Sequence, residues 1–324
     1  GLMLGLPLPD GGRIRLIPAI TLLLLASAAL SLAVHLFFPG VESSFDRTAD
    51  VSTSMLGGET RMQGLLSGPF HVAILGTFLT LAGAWTLALR RPIGALMITI
   101  GGAVLLLAKV RTGIITVALG LVVLIALAVH LRRTRPELFG WVHLGSWRSA
   151  LVALLAVAVV GVTIGAVAGD NVAVKQIKGL PTDHRVASRV DAIEDALDVS
   201  LDSPLTGWGP GASASGLKHD FWDADKVQIN PHSGALGLTV EAGVGALICF
   251  LLIGGQAALA LLRQLRRGAQ AEAAGLAVAA ALPIAAFWVI GDGLAALPIT
   301  LALSLIVGVF LADGFALDED GETG

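Results

Sequence analysis

The sequence predicts an all-α, polytopic membrane protein with about eight spans. Three observations carry this expectation. Hydrophobic residues make up 55% of the chain and charged residues only 14%, against about 25% charged in a soluble domain. The mean hydropathy is +0.82. Most decisively, the apolar residues come in unbroken runs: Leu16–Phe38, Phe70–Leu89, Pro92–Ala108, Gly113–Leu131, Leu151–Ala168, Ala235–Leu262, Ala271–Ile290 and Leu294–Ala312. Each is near the roughly 17–25 residues that cross a bilayer as a helix. Pro39–Pro69 is long enough to hold a further, broken helix.

The net charge of −3 is silent on nucleic acid, but no basic stripe with interleaved aromatics is present, which sets nucleic acid aside as a partner. Cys249 is the single cysteine, so no disulfide forms within the chain. The chain begins at Gly1 rather than Met, so upstream sequence and further spans are expected. Leu16–Phe38 is too long for a secretory signal core and lacks a clear cleavage site after it.

Basic residues fix the expected orientation. Arg13 and Arg15, Arg90 and Arg91, Arg132, Arg133, Arg135 and Arg148, and then Arg263, Arg266 and Arg267 fall on alternate connections. One topology puts all of them in the cytoplasm. Residues 1–168 then carry helices one to five, and 169–231 form a loop outside the membrane. Residues 232–312 carry the last three helices, and 313–324 are an acidic cytoplasmic tail expected to be disordered. No internal repeat of the transporter kind is visible.

The outer segment Gly169–Pro231 is far longer than the other connections, and loops of that length are commonly functional. Val186, Val190, Ile193 and Leu197 recur at helical spacing, with Asp191, Glu194, Asp195, Asp198 and Asp202 mostly off that stripe. This predicts an amphipathic surface helix over Arg185–Leu201, stopped at Asp202-Ser203-Pro204. Gly207-Trp208-Gly209-Pro210-Gly211 follows as a tight turn that suits glycine.

Few polar residues stand at the expected membrane boundary, and each has two readings. Arg111, between two apolar helices, is an anchor snorkelling to headgroups or a clamp for a pyrophosphate, whose oxygens match a guanidinium fork. Arg185 and Arg189 are four apart, a repulsion of roughly 0.2–0.5 kcal/mol on one helix face. A bound anion reverses that sign; solvation or pairing with loop carboxylates merely tolerates it. His232 opens the helix after the long loop, as an interfacial or capping residue or as a general base on a sugar hydroxyl. Glu241 is nine residues further, about 13 Å along a helix and turned away from His232, so it is expected to hold a helix or loop in place. Asp292, between two glycines, reads as a solvated turn. No Walker loop, HExxH, GxSxG or CxxC is present, and His219 to Asp225 does not match a calcium loop. No metal site and no cofactor are expected.

An ordered series of motifs resembles the O-antigen ligase and O-antigen polymerase superfamily. Arg61-Met62-Gln63-Gly64 is similar to its Arg-x-x-Gly stretch. Lys109-Val110-Arg111-Thr112-Gly113 resembles its Ser-Arg-small motif, with Val110 where Ser is usual. Arg189 to Ile193, then Asp202-Ser203-Pro204-Leu205-Thr206-Gly207-Trp208-Gly209-Pro210-Gly211, resembles its Arg, short helix and Asn/Asp-x-Pro-Leu-x-Gly-x-Gly-x-Gly run, with Ile193 at a frequent Trp position. Asn230-Pro231-His232-Ser233 through Glu241-Ala242-Gly243 resembles its His and Glu-x-Gly signature. The series covers about residues 60 to 250 of the chain.

The resemblance implies a bundle of the lipid-dependent, GT-C glycosyltransferase type, lidded by the outer loop. It implies an enzyme of the bacterial cytoplasmic membrane that works at its outer face. A glycan on undecaprenyl pyrophosphate would pass to a hydroxyl of a glycan or glycolipid acceptor, with inversion and without metal. His232, Arg189 and Arg111 are then the catalytic candidates. Arg61, Arg185, Gly207, Gly209, Gly211 and Glu241 are the substrate-binding candidates. Ligase and polymerase share these motifs, with ligase the preferred reading. The peptidoglycan polymerases of the shape, elongation, division and sporulation family are more distant: similar in helix count and long outer loop, but their loop signature is not seen in this sequence. A flippase or transporter would place its polar groups nearer mid-membrane, and a scaffold would need no converging arginines and histidine.

Overall fold

Apolar sequence in hydrocarbon must pair every backbone N–H and C=O internally, and the helix does so within one segment. The protein, described here from a computed structural model, follows that rule. The structure describes residues 15–44, 55–56, 59–66, 68–134, 184–209, 212–213, 233–266, 270–290 and 297–319. The order is α1 (Leu16–Phe37), α2 (Pro39–Ser44), a minimal antiparallel hairpin of β1 (Met55–Leu56) and β2 (Glu59–Thr60), α3 (Pro69–Ala88), α4 (Ile93–Ala108) and α5 (Arg111–Thr134). Then come α6 (His184–Asp202), α7 (Gly234–Arg266), α8 (Ala271–Ile290) and α9 (Leu297–Glu319).

Five of these helices, α1, α3, α5, α7 and α8, are long and apolar enough to cross a membrane. α4, and the apolar part of α9 at Pro298–Ala312, are shorter. The expected span Leu151–Ala168 lies outside the described residues. In place of a broken helix, the described parts of Pro39–Pro69 show α2 and the hairpin. α9 continues to Glu319, well into the stretch expected to be a disordered tail.

α3 is the buried centre, and small residues let α4 lie against it. Gly76 and Gly83 on α3 face Gly101 and Gly94 on α4, each pair seven residues apart. A methyl at Gly76 would meet the Gly101 carbonyl oxygen at 2.8 Å; one at Gly83 would meet that of Gly94 at 2.8 Å. Glycine seams of this kind serve close packing where lipid gives helices no hydrophobic drive to associate. On another side of α3, the Trp85 indole fills the space over Gly275 of α8 and donates to the Ala271 carbonyl at 2.9 Å. Arg91, after α3, pairs with Glu272 at the start of α8. These two links bring together chain segments that the charge pattern assigns to one side.

α7 is not straight. Gly243 has φ 77° and ψ 176°, outside helical values. Trp288 of α8 lies against Gly234 and stacks on Phe250, with ring centroids 3.7 Å apart. In a straight helix Gly234 and Phe250 would be about 24 Å apart, too far for one side chain to touch both. A sharp bend at Gly243 brings them together. Beyond it, Ile248, Leu251, Leu252 and Ile253 point outward, as on a lipid-facing helix.

Candidate functional site

The site is built from three corners. At the first, α4 ends on Lys109 in the left-handed region (φ 53°), and the chain turns directly into α5 at Arg111. The last carbonyls of a helix have no partner within it. Here the Met62 N–H donates to the Leu107 carbonyl at 3.0 Å, and the Arg61 Nε–H to the Ala108 carbonyl at 3.1 Å. A cation at a helix C-terminus also meets a favourable dipole. Arg61 is buried, with its guanidinium 5.4 Å from the centre of the Phe70 ring. Arg61 therefore grips the turn that presents the half-buried Arg111.

The second corner joins the end of α6 to the bend in α7. After Asp202 the chain makes a turn closed by Ser203, whose carbonyl accepts from the Gly207 N–H at 3.0 Å and whose hydroxyl donates to the Gly207 carbonyl at 2.8 Å. The turn pairs edge to edge with the bend. Trp208 N–H donates to the Val240 carbonyl (2.8 Å), Gly209 N–H to that of Glu241 (3.0 Å), and Val244 N–H to that of Pro204 (2.8 Å). Two glycines make this approach possible. A Cβ on Gly207 (φ +64°) would stand 2.4 Å from the Glu241 carbonyl carbon, and one on Gly243 would stand 2.5 Å from the Leu205 oxygen. Gly209 also has positive φ, at 92°. The Trp208 indole donates to the Val199 carbonyl in the last turn of α6 at 2.9 Å. The Glu241 carboxylate accepts from the Ser213 hydroxyl at 2.6 Å, tying the far side of the turn to α7.

α6 docks through its small residues. Ala196 and Ser200 are buried, and Ala196 packs with Val240, Leu236 and Ala212. The larger apolar residues Ile193, Leu197 and Leu201 face away and are exposed. The periodicity gave the helix but not the face that packs inward, because only short side chains fit against α7 here.

The third corner links the other two. Phe287 and Trp288 are neighbours near the end of α8. Phe287 reaches within 3.6 Å of where a Cβ on Gly113 would lie, and Gly113 is two positions after Arg111. Trp288 packs on Gly234, two positions after His232. One dipeptide thus touches the start of α5 and the start of α7.

Of the sequence candidates, Arg61 and Arg111 meet at the first corner, and Gly207, Gly209 and Glu241 at the second. Arg185 and Arg189 sit on α6 by backbone; their side chains lie outside the described residues, as do His232 and Gly211 entirely. Asp292 is also outside them. Sequence reading placed Ser203 and Trp208 in the stop and turn without their contacts, and missed Ser213 and Trp288. The glycine of the Glu-x-Gly signature was the available sign of a bend, since a fixed glycine in an apolar helix suggests a backbone need. Among the described residues no group of three potential metal ligands occurs.

The O-antigen ligase family model matches residues 94–251, a stretch that holds α4, α5, α6 and α7 as far as its bend and beyond. That match supports the O-antigen ligase and polymerase superfamily for this chain, a glycosyltransferase-like family. With its apolar helices, the chain is a multi-pass membrane protein that is similar to that family over the matched stretch. No curated protein and no solved structure matches it.

Proposed function

We propose that the protein transfers a glycan from undecaprenyl pyrophosphate to a hydroxyl on a glycan or glycolipid acceptor at the outer face of the bacterial cytoplasmic membrane, as a ligase. The supporting observation is the α8 dipeptide. Phe287 on Gly113 and Trp288 on Gly234 hold the helix starts after Arg111 and His232 around one helix end. Catalytic groups must reach one substrate, and the shared contact of the two helix starts with one helix end supports that reading.

The chemistry follows from charge. The anomeric carbon of the donor sugar loses its bond to the pyrophosphate oxygen and gains one to the acceptor oxygen, with inversion. The leaving pyrophosphate gains negative charge, which Arg111 and Arg189 stabilise as fixed cations. His232 takes the proton of the acceptor hydroxyl. Arg185 adds positive potential from the same helix as Arg189. Gly207, Gly209 and Glu241 position α6 through the docked turn, and Gly211 is assigned to substrate binding with them. Arg61 acts through the turn it grips. No metal enters this scheme.

The test is transfer of labelled glycan from undecaprenyl pyrophosphate by purified protein in detergent with EDTA. A single acceptor-linked product supports a ligase. A ladder supports the polymerase of the same superfamily. Movement of intact lipid-linked glycan across a vesicle membrane, without transfer, supports a flippase.

A further inference from the structure

We propose that the start of α7 and the end of α8 form an oxyanion site in which the Trp288 indole N–H donates to a phosphate oxygen. This rests on the donor chemistry proposed above. Trp288 is 7% exposed, and its Nε1 is buried with no hydrogen-bond partner among the described residues. An indole N–H is a donor only, and leaving one buried and unpaired costs about 1–3 kcal/mol. A tryptophan anchoring a membrane interface keeps its N–H wet at the headgroups. This one is withdrawn from water, which calls for an acceptor in the bound state.

The indole edge is set against a helix N-terminus. A Cβ on Gly234 would lie 2.9 Å from Trp288 Cδ1 and 3.0 Å from its Nε1, so only glycine admits the ring. Buried Ser233 caps the helix: its hydroxyl accepts from the Leu236 N–H at 3.4 Å and its carbonyl from the Gly237 N–H at 2.8 Å. The Gly234 and Ala235 N–H groups have no partner among the described residues. Two backbone donors and one indole donor therefore gather at the positive end of a helix dipole. No acidic residue lies in the first turn of α7. Donors without acceptors in this setting suit a phosphate oxygen. Phe250 stacked on the indole face holds the ring in plane, so its N–H keeps one direction.

Trp288→Phe keeps an aromatic ring near Phe250 but removes the N–H together with the pyrrole edge that lies on Gly234, so the phosphate-free control reads the loss of packing. The measurement is binding of glycan-free undecaprenyl pyrophosphate to the purified full chain in detergent, with undecaprenol as the phosphate-free control. Expected is a Kd about ten- to a hundredfold weaker in Trp288→Phe, as for one lost hydrogen bond to a charged group. Undecaprenol binding stays unchanged, while the melting temperature falls modestly from the smaller ring. An unchanged Kd overturns the proposal, and so does an equal loss for undecaprenol, which would mean packing alone. Should Trp288→Phe fail to fold, Gly234→Ala sets a methyl against the indole edge and is expected to weaken the same lipid selectively; equal binding there overturns the site.

Inorganic pyrophosphate separates two sources of the anion. Displacement of the lipid from wild type shows that free phosphate also fills the site. Lack of displacement, with Trp288-sensitive lipid binding, assigns the site to the lipid headgroup alone. Wild type that transfers glycan while Trp288→Phe binds donor normally sinks this inference only. Wild type that binds through Trp288 yet transfers nothing sinks the transfer reading only.

Discussion

At the residue scale, the arginines and the carboxylate make different demands on chemistry. Arg189→Lys keeps the charge but loses the fork, so transfer is expected to fall at least tenfold with the fold intact. Full activity in that variant would end the clamp. Glu241 is different, because its carboxylate accepts from Ser213 and its carbonyl from Gly209. Glu241→Gln keeps an acceptor oxygen and is expected to keep most transfer activity. Glu241→Leu orphans the hydroxyl and is expected to lose about 1–3 kcal/mol of stability. Activity lost in Glu241→Gln at an unchanged melting temperature would place the charge on substrate instead. Gly207 has φ +64° and no room for a methyl beside the Glu241 carbonyl carbon. Gly207→Ala is therefore expected to release the turn, costing about 1–3 kcal/mol, read as a lower melting temperature.

At the element scale, adjacent glycines on α4 separate packing from propensity. A methyl on Gly101 would meet Leu79 Cβ and the Thr80 nitrogen at 2.8 Å, whereas Gly102 has nothing within 4 Å. Gly101→Ala is expected to destabilise by about 1–3 kcal/mol through overpacking. Gly102→Ala gains helix propensity, about 0.8–1.0 kcal/mol. Thermal unfolding of the two variants checks this; equal shifts would mean that α3 and α4 do not meet along glycine. The helices themselves were legible, because runs such as Phe70–Leu89 admit no other structure in lipid. The seam was not, since glycines at seven-residue spacing read alike whether they face a helix or open space, as Gly101 and Gly102 demonstrate. α6 was legible over Arg185–Leu201, but its inward face turned out to be Ala196 and Ser200.

At the scale of the whole molecule, residues far apart in sequence are brought to one end of the bundle. Arg61 grips the α4 end before Arg111. The turn after α6 locks into the α7 bend, and α8 touches the starts of both α5 and α7. The motifs were visible as an ordered series, and the O-antigen ligase match at residues 94–251 spans all of them after the Arg61 stretch. Their pairing was not visible. That Gly207 packs on Glu241, or that Trp288 closes over Gly234, depends on a bend that sequence periodicity does not encode. The central claim is that these corners serve one transfer reaction. Its most direct test is the initial rate of glycan transfer from undecaprenyl pyrophosphate, with EDTA, for wild type, Arg189→Ala and His232→Ala side by side. Metal-independent transfer by wild type, reduced at least a hundredfold in both variants at unchanged melting temperature, is the predicted result. Transfer at wild-type rate in either variant, or none by folded wild type, would contradict it.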